Sequence, residues 1–371
     1  MKIRIAAFGG FRSIPPKAGG AGADKFALEL YPRIVRRGHR VIAYCRIYPG
    51  DMEPAASQYD GVRIISFKTV RKAGFDTLLH SCKATLDIIM NNRADVVHIN
   101  SGANSIWALL LRLAGKRVYV SQFAMDWKRA KWPWYAKAFY WLSKYLTASL
   151  PNGVIFDNIY TQRYFEDKFG KKFYFVPYGS EVPDPPGESS VLARLGLQRR
   201  EYFLFVGRFI PDKGIHLLIE AFRRTATTKK LVLVGGSTNP SDYEKKLRRF
   251  ADERILFPGF IYGDDVNALI RNAYICVQPS FIEGLSPVIL TVMGLGTPLI
   301  CSDIVENKYI TRENALHFTS GNIESLREKL LYSLENYDEL INMARLGAED
   351  VLDRFNWEEV TDQYVEIFTK S

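Results

Sequence analysis

The chain has 371 residues, 47% of them hydrophobic and 24% charged, which suits a globular protein with room for two domains and excludes a disordered or collagen-like chain. Its 50 lysines and arginines exceed its 40 aspartates and glutamates, so the formal net charge is +10. That excess favours an anionic partner: phosphate groups, nucleic acid or an acidic membrane surface.

Short β-branched runs alternate with helical patterns along almost the whole chain, which is typical of βαβ units and parallel sheets. The strands predicted in the first half are 2–8, 40–45, 62–66, 96–99, 117–120, 153–156 and 173–176. Those predicted in the second half are 202–206, 231–234, 255–257, 275–278, 299–301 and 315–318. Helices are predicted between them, for example over 24–37, so the fold class is α/β.

A linker separates the two series of strands. Residues 177–187 contain four prolines and two glycines, a composition typical of an interdomain connection. We therefore predict two doubly wound, Rossmann-like domains, an N-terminal one over 1–178 and a C-terminal one over 179–352. Two such domains leave a central cleft that faces the carboxyl ends of both sheets, where ligands bind in this architecture.

The sequence favours a cytoplasmic location. Its four cysteines lie far apart, so neither a disulfide framework nor a structural zinc site is expected. The first strand is too short and too mixed for a signal peptide. The longest uncharged window, 284–302, is interrupted by prolines and glycines, so it predicts a helix, a turn and a strand rather than a membrane span.

The loop after the first strand, residues 9–23, is rich in glycine and includes Gly19 and Gly20. A dinucleotide fingerprint needs a tight turn directly after the strand and an acidic residue about twenty positions later. The sequence has neither, so a nicotinamide site is not expected. Two interpretations stay open: main-chain N–H groups that cradle an anion at a helix N-terminus, or a flexible loop.

The second half contains a sharper pattern. Gly207 and Arg208 end a predicted strand, and Lys213 follows a tight turn before a helix predicted over 215–222. Gly207 lets a ligand approach the strand end, while the guanidinium and ammonium groups can both reach a diphosphate. The alternative is two solvated surface charges, which the position at a strand end disfavours.

A second anion site is predicted further along the chain. Pro287 suits the first position of a helix, which would make Ser286 its N-cap. The N–H groups of Gly284, Leu285 and Ser286 would then face the same cleft, where Glu283 could accept hydrogen bonds from a sugar. The alternative for Glu283 is a charge near the positive end of the helix dipole. We favour the functional interpretation because two cations, a helix N-terminus and a carboxylate converge.

Together these motifs resemble a retaining glycosyltransferase of family 4, with the GT-B fold, over essentially the whole chain. The resemblance lies in residues 16–20, 35–41, 95–98, 206–214, 233–235, 257–260 and 283–298. Within that family, residues 126–132, 156–158 and 177–179 resemble a bacterial rhamnosyltransferase-like branch. The resemblance implies a hexosyltransferase whose terminal helix, within 353–371, crosses back to the N-terminal domain.

The resemblance also implies how a donor site is divided between diphosphate, sugar and base. Arg208 and Lys213 would bind the diphosphate of a nucleotide sugar. Glu283 and the amides of 284–286 would hold the sugar and the β-phosphate. The remaining donor-binding candidates are the main chain around Phe260 and Ile261, which would meet the base, and the glycines Gly19 and Gly20.

Two positions depart from the family pattern. Thr291 stands where the family has a second glutamate, which accepts both ribose hydroxyls, and a threonine hydroxyl cannot do so as an anion. A deoxythymidine diphosphate sugar would lose less from this change than a uridine or guanosine donor. Phe123-Ala124 replaces the Asp-Gly of the branch, which leaves Asp126 as the nearby acid.

No Asp-x-Asp sequence occurs in the chain, so neither a metal bridging the diphosphate nor another cofactor is expected. The two cations and the helix N-terminus would stabilise the leaving diphosphate. Retention without an evident nucleophile favours attack on the same face of the sugar, and Asp126 and Glu283 are the catalytic candidates. The expected acceptor is a glycan or a polyprenyl-linked sugar in bacterial surface polysaccharide assembly.

Two other functions share this architecture. A sugar-nucleotide epimerase or a phosphorylase would use the same donor chemistry without this acceptor. A degenerate, non-catalytic transferase would serve as an assembly partner, which Thr291 and Phe123 would explain.

Residues 127–145 combine four of the six tryptophans with five cations and no acid. Aromatic rings prefer the headgroup level of a bilayer, and cations are attracted to anionic lipids. We therefore expect an interfacial helix that docks on the inner face of the cell membrane. The alternatives are a packed helix with a solvated basic face and an RNA-binding surface, although nucleic acid is not the expected partner. The acceptor- or membrane-side candidates are Trp127, Lys128, Arg129 and Lys131.

Overall fold

The computed structural model describes residues 2–16, 22–51, 57–70, 74–123, 125, 134–180, 190–237 and 241–370. The chain divides into two units, one made of Met1–Tyr178 with Trp357–Ser371 and the other of Gly179–Asn356. Each unit is built on a sheet of its own.

The sheet of the first unit has the order β3-β4-β2-β1-β5-β6-β7-β8, and β3 is its antiparallel edge strand. Its strands are β1 Arg4–Phe8, β2 Arg40–Ile47, β3 Gln58–Tyr59, β4 Val62–Lys68, β5 Val96–Ile99, β6 Arg117–Gln122, β7 Gly153–Phe156 and β8 Tyr174–Phe175. The helices between them are α1 Gly22–Arg36, α2 Phe75–Met90, α3 Ala108–Leu113, α4 Trp134–Ser149 and α5 Ile159–Phe169.

The sheet of the second unit has the order β11-β10-β9-β12-β13-β14, with parallel pairing throughout. Its strands are β9 Tyr202–Arg208, β10 Lys230–Gly236, β11 Ile255–Gly259, β12 Ile275–Gln278, β13 Leu299–Ser302 and β14 Leu316–Phe318. Its helices are α6 Val191–Arg194, α7 Ile215–Arg223, α8 Asp242–Arg248, α9 Asp264–Asn272, α10 Pro287–Gly294, α11 Val305–Thr311, α12 Ile323–Glu335 and α13 Tyr337–Arg354.

The central strands are buried on both faces, as parallel strands covered by helices are expected to be. All residues of β5, β12 and β13 are buried. In each sheet the order of strands reverses beside the first strand of the unit, between β1 and β5 and between β9 and β12. These are two doubly wound α/β sheets, so the predicted fold class is confirmed. The helix α1 starts at Gly22, earlier than the predicted 24.

The last helix, α14 (Trp357–Thr369), belongs to the first unit although it follows the second in sequence. Arg37, directly after α1, contacts Asp362 at 2.5 Å and Glu358 at 2.9 Å. Beneath this charged rim, the Tyr364 hydroxyl lies 3.1 Å from Ser121 Oγ of β6. Tyr364 is buried, so α14 completes the core of the first unit.

Candidate active site

The carboxyl edge of the second sheet brings the two predicted segments together. β9 ends at Arg208 and its neighbour β12 ends at Gln278, so the chain leaves both strands at the same edge. This is the point where the strand order reverses, at which open α/β sheets bind ligands. The Phe281 N–H donates to the Asp212 carbonyl oxygen at 2.9 Å, which ties the segment after β12 to the turn after β9.

Gly214 permits this close approach. Its φ is +65°, a backbone conformation that residues with a Cβ rarely adopt, and a Cβ built there would lie 2.0 Å from the Pro279 carbonyl oxygen. Glycine is therefore required at the start of α7. It sets how closely Lys213 approaches the segment that begins at Pro279.

Lys213 and Glu283 form an ion pair across the two segments. The Lys213 ammonium donates to Glu283 Oε1, and Ser280 Oγ donates to the same oxygen at 2.6 Å. The two charged side chains are only 17% and 10% exposed. Because little water reaches them, their attraction is stronger than that of a surface pair. The sequence suggested separate roles for this lysine and this glutamate, and the structure brings them into contact.

The ends of β9 and β10 present main chain rather than side chains. Gly207 pairs with Gly235 in the parallel register, and Arg208 pairs with Gly236. At Gly235 φ is +128°, and a Cβ built there would lie 1.9 Å from the Gly207 carbonyl oxygen. Glycine at this position therefore lets the ends of β9 and β10 lie close together, beside the exposed Arg208 side chain.

The helix α10 begins at Pro287 with Ser286 as its N-cap, as predicted. The Ser286 side chain makes no capping hydrogen bond within the described residues, so it leaves the N–H groups of the first turn to other acceptors. Gly284 is partly exposed just before this turn, whereas Leu285 is buried. One turn into the helix, Thr291 Oγ1 donates to the Pro287 carbonyl oxygen at 3.0 Å. This hydroxyl can therefore offer a ligand only its acceptor capacity while that bond is kept.

An exposed aromatic pair follows β11 on the same edge. The rings of Phe260 and Tyr262 stack with centroids 6.0 Å apart and planes 7° apart, and both side chains are exposed. Ile261 between them is partly buried. Tyr262 presents an exposed ring beside Phe260, and sequence reasoning missed it. Its spacing of two residues from Phe260 was the available signal, since alternate residues of an extended segment share a face.

Sequence reasoning also missed Ser280 and Asp212. Ser280 orients Glu283, and its position three residues before that glutamate at a strand end was a detectable signal. The Asp212 side chain is buried, and its Oδ2 has no hydrogen-bond partner among the described residues. It lies in the turn between Arg208 and Lys213 that the sequence had identified.

Several predicted residues lie outside the described residues: Gly19, Gly20, Asp126, Trp127, Lys128, Arg129 and Lys131. The described part of the loop after β1 is held from within the protein. Asp24 Oδ1 accepts hydrogen bonds from the N–H groups of Arg12 at 2.7 Å and Ser13 at 3.2 Å. These two amides contact a carboxylate of the chain itself, so an anion cradle stays a prediction for the glycines alone.

A second polar cluster lies at the carboxyl edge of the first sheet. Arg46 of β2 pairs with Asp76 at 3.1 Å, and the Tyr48 hydroxyl donates to the same carboxylate oxygen at 2.7 Å. Arg46 also donates to the Gly9 carbonyl oxygen just after β1. These contacts join the ends of β1 and β2 to the start of α2. Sequence reasoning assigned none of these side chains to a site, because their partners come from three separate segments.

Two family models match the chain. The model described as Glycosyltransferase Family 4 matches residues 20–180, and the one described as Glycosyl transferases group 1 matches residues 200–336. The matches therefore fall on the first and the second unit, respectively.

Relatives with assigned names are similar to this chain at low identity. O-antigen chain mannosyltransferase B of Escherichia coli is 26% identical over 50% of this chain and 51% of its own length. An uncharacterized glycosyltransferase of Methanocaldococcus jannaschii is 27% identical over 47% and 46%, so the chain spans about half the length of these relatives. A GDP-mannose-dependent alpha-(1-6)-phosphatidylinositol monomannoside mannosyltransferase of Mycobacterium tuberculosis is 24% identical over 93% of both chains.

Solved structures establish the fold. Sucrose-phosphate synthase from Thermosynechococcus elongatus matches with a TM-score of 0.83 at 19% identity, over 98% of both chains. Anabaena HepE in complex with UDP-glucose matches with a TM-score of 0.78 at 16% identity, over 98% of this chain and 99% of that one. Because both matches extend over nearly the whole chain, this chain has the GT-B fold.

Proposed function

We propose that this chain, which pairs a glycosyltransferase family 4 domain with a group 1 domain in the GT-B fold, is a retaining hexosyltransferase. It would move a sugar from a nucleoside-diphosphate donor to a glycan or lipid-linked acceptor in bacterial surface polysaccharide assembly. The observation that carries this proposal is the convergence of Arg208, Lys213, Glu283 and the start of α10 on one sheet edge. The names of its relatives, O-antigen and phosphatidylinositol mannoside mannosyltransferases, agree with such acceptors.

The proposed donor site meets the diphosphate with positive charge from three sources. The Arg208 guanidinium can make bidentate contacts, and the Lys213 ammonium adds a compact charge. The first turn of α10 adds unsatisfied N–H groups at the positive end of a helix dipole. No metal is needed in this scheme, because these groups stabilise the charge that develops as the diphosphate leaves.

The Lys213–Glu283 pair links diphosphate binding to sugar binding. When the Lys213 ammonium donates to a phosphate oxygen instead of to Glu283, the Glu283 carboxylate keeps its hydrogen bond from Ser280. It then has acceptor capacity left for sugar hydroxyls. Glu283 is thus a candidate for orienting the sugar at the reacting carbon. Asp126, which lies outside the described residues, is the candidate for orienting the acceptor.

The reaction forms one glycosidic bond and breaks one sugar–phosphate bond. The acceptor oxygen attacks the anomeric carbon on the face from which the diphosphate leaves, through an oxocarbenium-like transition state. The departing phosphate oxygen takes the acceptor proton, so the products are the new glycoside and a nucleoside diphosphate. No enzymic nucleophile, oxidant or reductant is required.

Thr291 supports a donor with one ribose hydroxyl fewer. Its hydroxyl is a single neutral oxygen, so it lacks the negative charge and the second oxygen with which a carboxylate accepts from two ribose hydroxyls. We therefore propose a deoxythymidine diphosphate sugar as donor, with a uridine diphosphate sugar as the second candidate. In thermal-shift titrations, Thr291→Glu is expected to raise affinity for UDP relative to dTDP.

The test of the proposed function is nucleotide binding followed by transfer. A thermal-shift screen should find a nucleoside diphosphate that raises the melting temperature. Arg208→Ala and Lys213→Ala should each weaken that binding by about tenfold or more, the loss expected for one charge-assisted hydrogen bond. Lys229→Ala is the matched control, since the Lys229 side chain is also largely buried, at 16% exposed, and also forms an ion pair, with Glu201 at 3.2 Å. Equal affinity in the two site variants and the control would reject the assignment.

Three neighbouring helices of the first unit support a membrane-bound acceptor. α2, α3 and α4 are joined through the short segment Gly102–Trp107. Their exposed apolar side chains form what we term the apolar face: Phe75, Leu78, Leu86, Met90, Ile106, Leu109, Leu110, Leu113, Trp134, Phe139, Trp141 and Leu142. Exposed apolar side chains gathered on neighbouring helices in this way are typical of sites for membranes or protein partners.

The charge of this face favours an anionic membrane. Neither α3 nor α4 contains an aspartate or glutamate, and Arg112 and Lys137 are exposed on them. None of the helices described is long and apolar enough to cross a bilayer. We therefore propose peripheral contact, with aromatic and aliphatic side chains at the headgroup level.

Vesicle sedimentation tests the membrane proposal. The chain should bind phosphatidylglycerol vesicles and lose binding as salt rises, because each cation contributes about 1 kcal/mol near anionic lipid. Leu110→Glu with Leu113→Glu should abolish it, whereas Leu346→Glu, at an exposed leucine of α13, should not. Vesicle binding that is unchanged in the double variant would exclude this face.

A further inference from the structure

A basic groove lies at the amino edge of the first sheet, the edge opposite to the polar cluster around Asp76. It has a volume of about 580 Å³ and is formed where β1, β2 and β4 begin and α2 ends. Its cationic lining residues are Lys2, Arg4, Arg40, Arg63 and Arg93. No aspartate or glutamate lines it within the described part of the chain.

Only two of these five cations have carboxylate partners close by. Arg4 contacts Asp95 at 2.6 Å, and Arg93 contacts Asp87 at 3.2 Å. Among the described residues, no carboxylate lies within 4.0 Å of the charged groups of Lys2, Arg40 or Arg63, which are exposed in the groove. The groove therefore carries an excess of positive charge that the protein itself does not balance.

His39 adds a neutral donor to the same groove. Its Nδ1 accepts the Ile3 N–H at 3.3 Å, so in the neutral ring the proton lies on Nε2. Burial, with the positive charge of Lys2 as a further cause, lowers the pKa of His39. The ring thus stays uncharged at neutral pH and offers an N–H group beside the cations.

We propose that this groove binds a phosphate-bearing ligand at a site separate from the proposed donor site. Guanidinium groups match phosphate oxygens in bidentate geometry, and Arg40 and Arg63 supply two such groups without a competing carboxylate. The groove is large enough for a diphosphate or a phosphorylated sugar. Its lining comes entirely from the first unit, whereas the proposed donor residues belong to the second.

The position of the groove indicates that its ligand does not react there. Ligands that react on open α/β sheets bind at the carboxyl ends of the strands, and this groove lies at the amino ends of β1, β2 and β4. A ligand here neutralises mutually repelling cations. It therefore stabilises the first unit and acts as an effector or a tether rather than as a substrate.

Isothermal titration with inorganic pyrophosphate tests the site in the full chain. Arg208→Ala with Lys213→Ala forms the background, because it removes the proposed donor contacts and leaves the groove intact. One saturable site per chain is expected in this background. Adding Arg40→Glu and Arg63→Glu should weaken it by about tenfold or more, since two charge-assisted contacts become repulsive.

A control pair with the same change of charge distinguishes a specific binding site from general electrostatic attraction. Arg163→Glu with Arg249→Glu changes the net charge equally at exposed arginines outside the groove, and should alter affinity by no more than about twofold. Absence of saturable binding in the background, or an equal loss in the control pair, would overturn the proposal. Melting temperatures without ligand that are no lower than that of the background would show that the added substitutions leave the chain folded.

Vesicles distinguish the two sources of phosphate. If Arg40→Glu with Arg63→Glu reduces sedimentation with phosphatidylglycerol vesicles while the apolar face is intact, the phosphate belongs to a lipid headgroup. If sedimentation is unchanged while pyrophosphate binding is lost, the ligand is a soluble phosphate compound.

Discussion

Gly214 and Gly170 have nearly the same backbone conformation in different surroundings. Their φ values are +65° and +60°, but a Cβ at Gly170 would meet nothing within 4 Å, whereas one at Gly214 would lie 2.0 Å from the Pro279 carbonyl oxygen. We predict that Gly170→Ala costs about 1 kcal/mol of unfolding free energy, the conformational penalty alone. Gly214→Ala should cost about 3 kcal/mol or more, because a backbone segment must also move.

Denaturant unfolding followed by circular dichroism measures both losses. Because the segment after Pro279 carries Glu283, Gly214→Ala should also weaken nucleotide binding, which Gly170→Ala should not. Equal small losses in the two variants would contradict the steric account.

The Lys213–Glu283 pair makes a second prediction at the residue scale. Lys213→Met should lower the free energy of unfolding by about 2–3 kcal/mol, because it leaves the Glu283 carboxylate, which is only 10% exposed, without its countercharge. Lys213→Met with Glu283→Gln should recover most of that loss while nucleotide binding stays weak. A double-mutant cycle on the unfolding of the second unit gives the coupling energy, and a value near zero would show that the ion pair contributes nothing.

At the scale of elements, α14 shows how packing decides which unit a helix joins. Its residues Trp357, Tyr364 and Phe368 are buried in the first unit. We predict that Tyr364→Ala costs about 3–5 kcal/mol through the cavity it leaves. Tyr364→Phe removes only the contact between the hydroxyl and Ser121 Oγ and should cost about 1 kcal/mol.

Tryptophan fluorescence is the measurement of choice here. All six tryptophans of the chain lie in the first unit, so their emission follows the unfolding of that unit alone. Glu366→Ala is the control, because this side chain is 65% exposed and its ion pair with Lys370 is screened by water, so the change in unfolding free energy should be small. If Tyr364→Ala lowered the free energy of unfolding as little as this control does, α14 would not be part of the core.

At the scale of the molecule, acid should destabilise the first unit. Burial lowers the pKa of both His80 and His98 to about 3, and both lie in the first unit. His98 is held neutral between the Tyr31 hydroxyl at 3.0 Å and Ser121 Oγ at 2.7 Å. In the unfolded chain the pKa of a histidine is about 6.5. Below that pH the unfolded chain binds more protons than the folded one, so stability falls as pH falls.

Each of these histidines should lower the unfolding free energy of the first unit by roughly 1.4 kcal/mol per pH unit between about pH 6 and pH 4. Above pH 7 both are neutral in either state, so the curve should be flat. Tryptophan fluorescence at pH 7 and pH 5 measures the effect in denaturant. His80→Gln with His98→Gln should reduce the slope, and an unchanged slope would assign the acid sensitivity to other groups.

Much of the fold could be predicted from local sequence. The β-branched runs and the amphipathic segments are local signals, so the strand positions and the α/β class followed from them. The chain segments 207–213 and 283–287 were also detectable, because strand ends, glycines and an N-terminal helix proline are local features. By contrast, the contact between Lys213 and Glu283 joins residues seventy positions apart, and no local pattern encodes such a distance.

By itself, the sequence determined the α/β class, the positions of most strands, and the loops that hold Arg208, Lys213 and Glu283. Periodicity, turn residues and charge act over a few neighbouring residues, so they can be recognised without a fold. The tertiary structure alone decided that Lys213 pairs with Glu283, that Arg46 pairs with Asp76, and that unpaired cations gather in one groove. These depend on strand order and on close packing, which bring together residues that are distant in the chain.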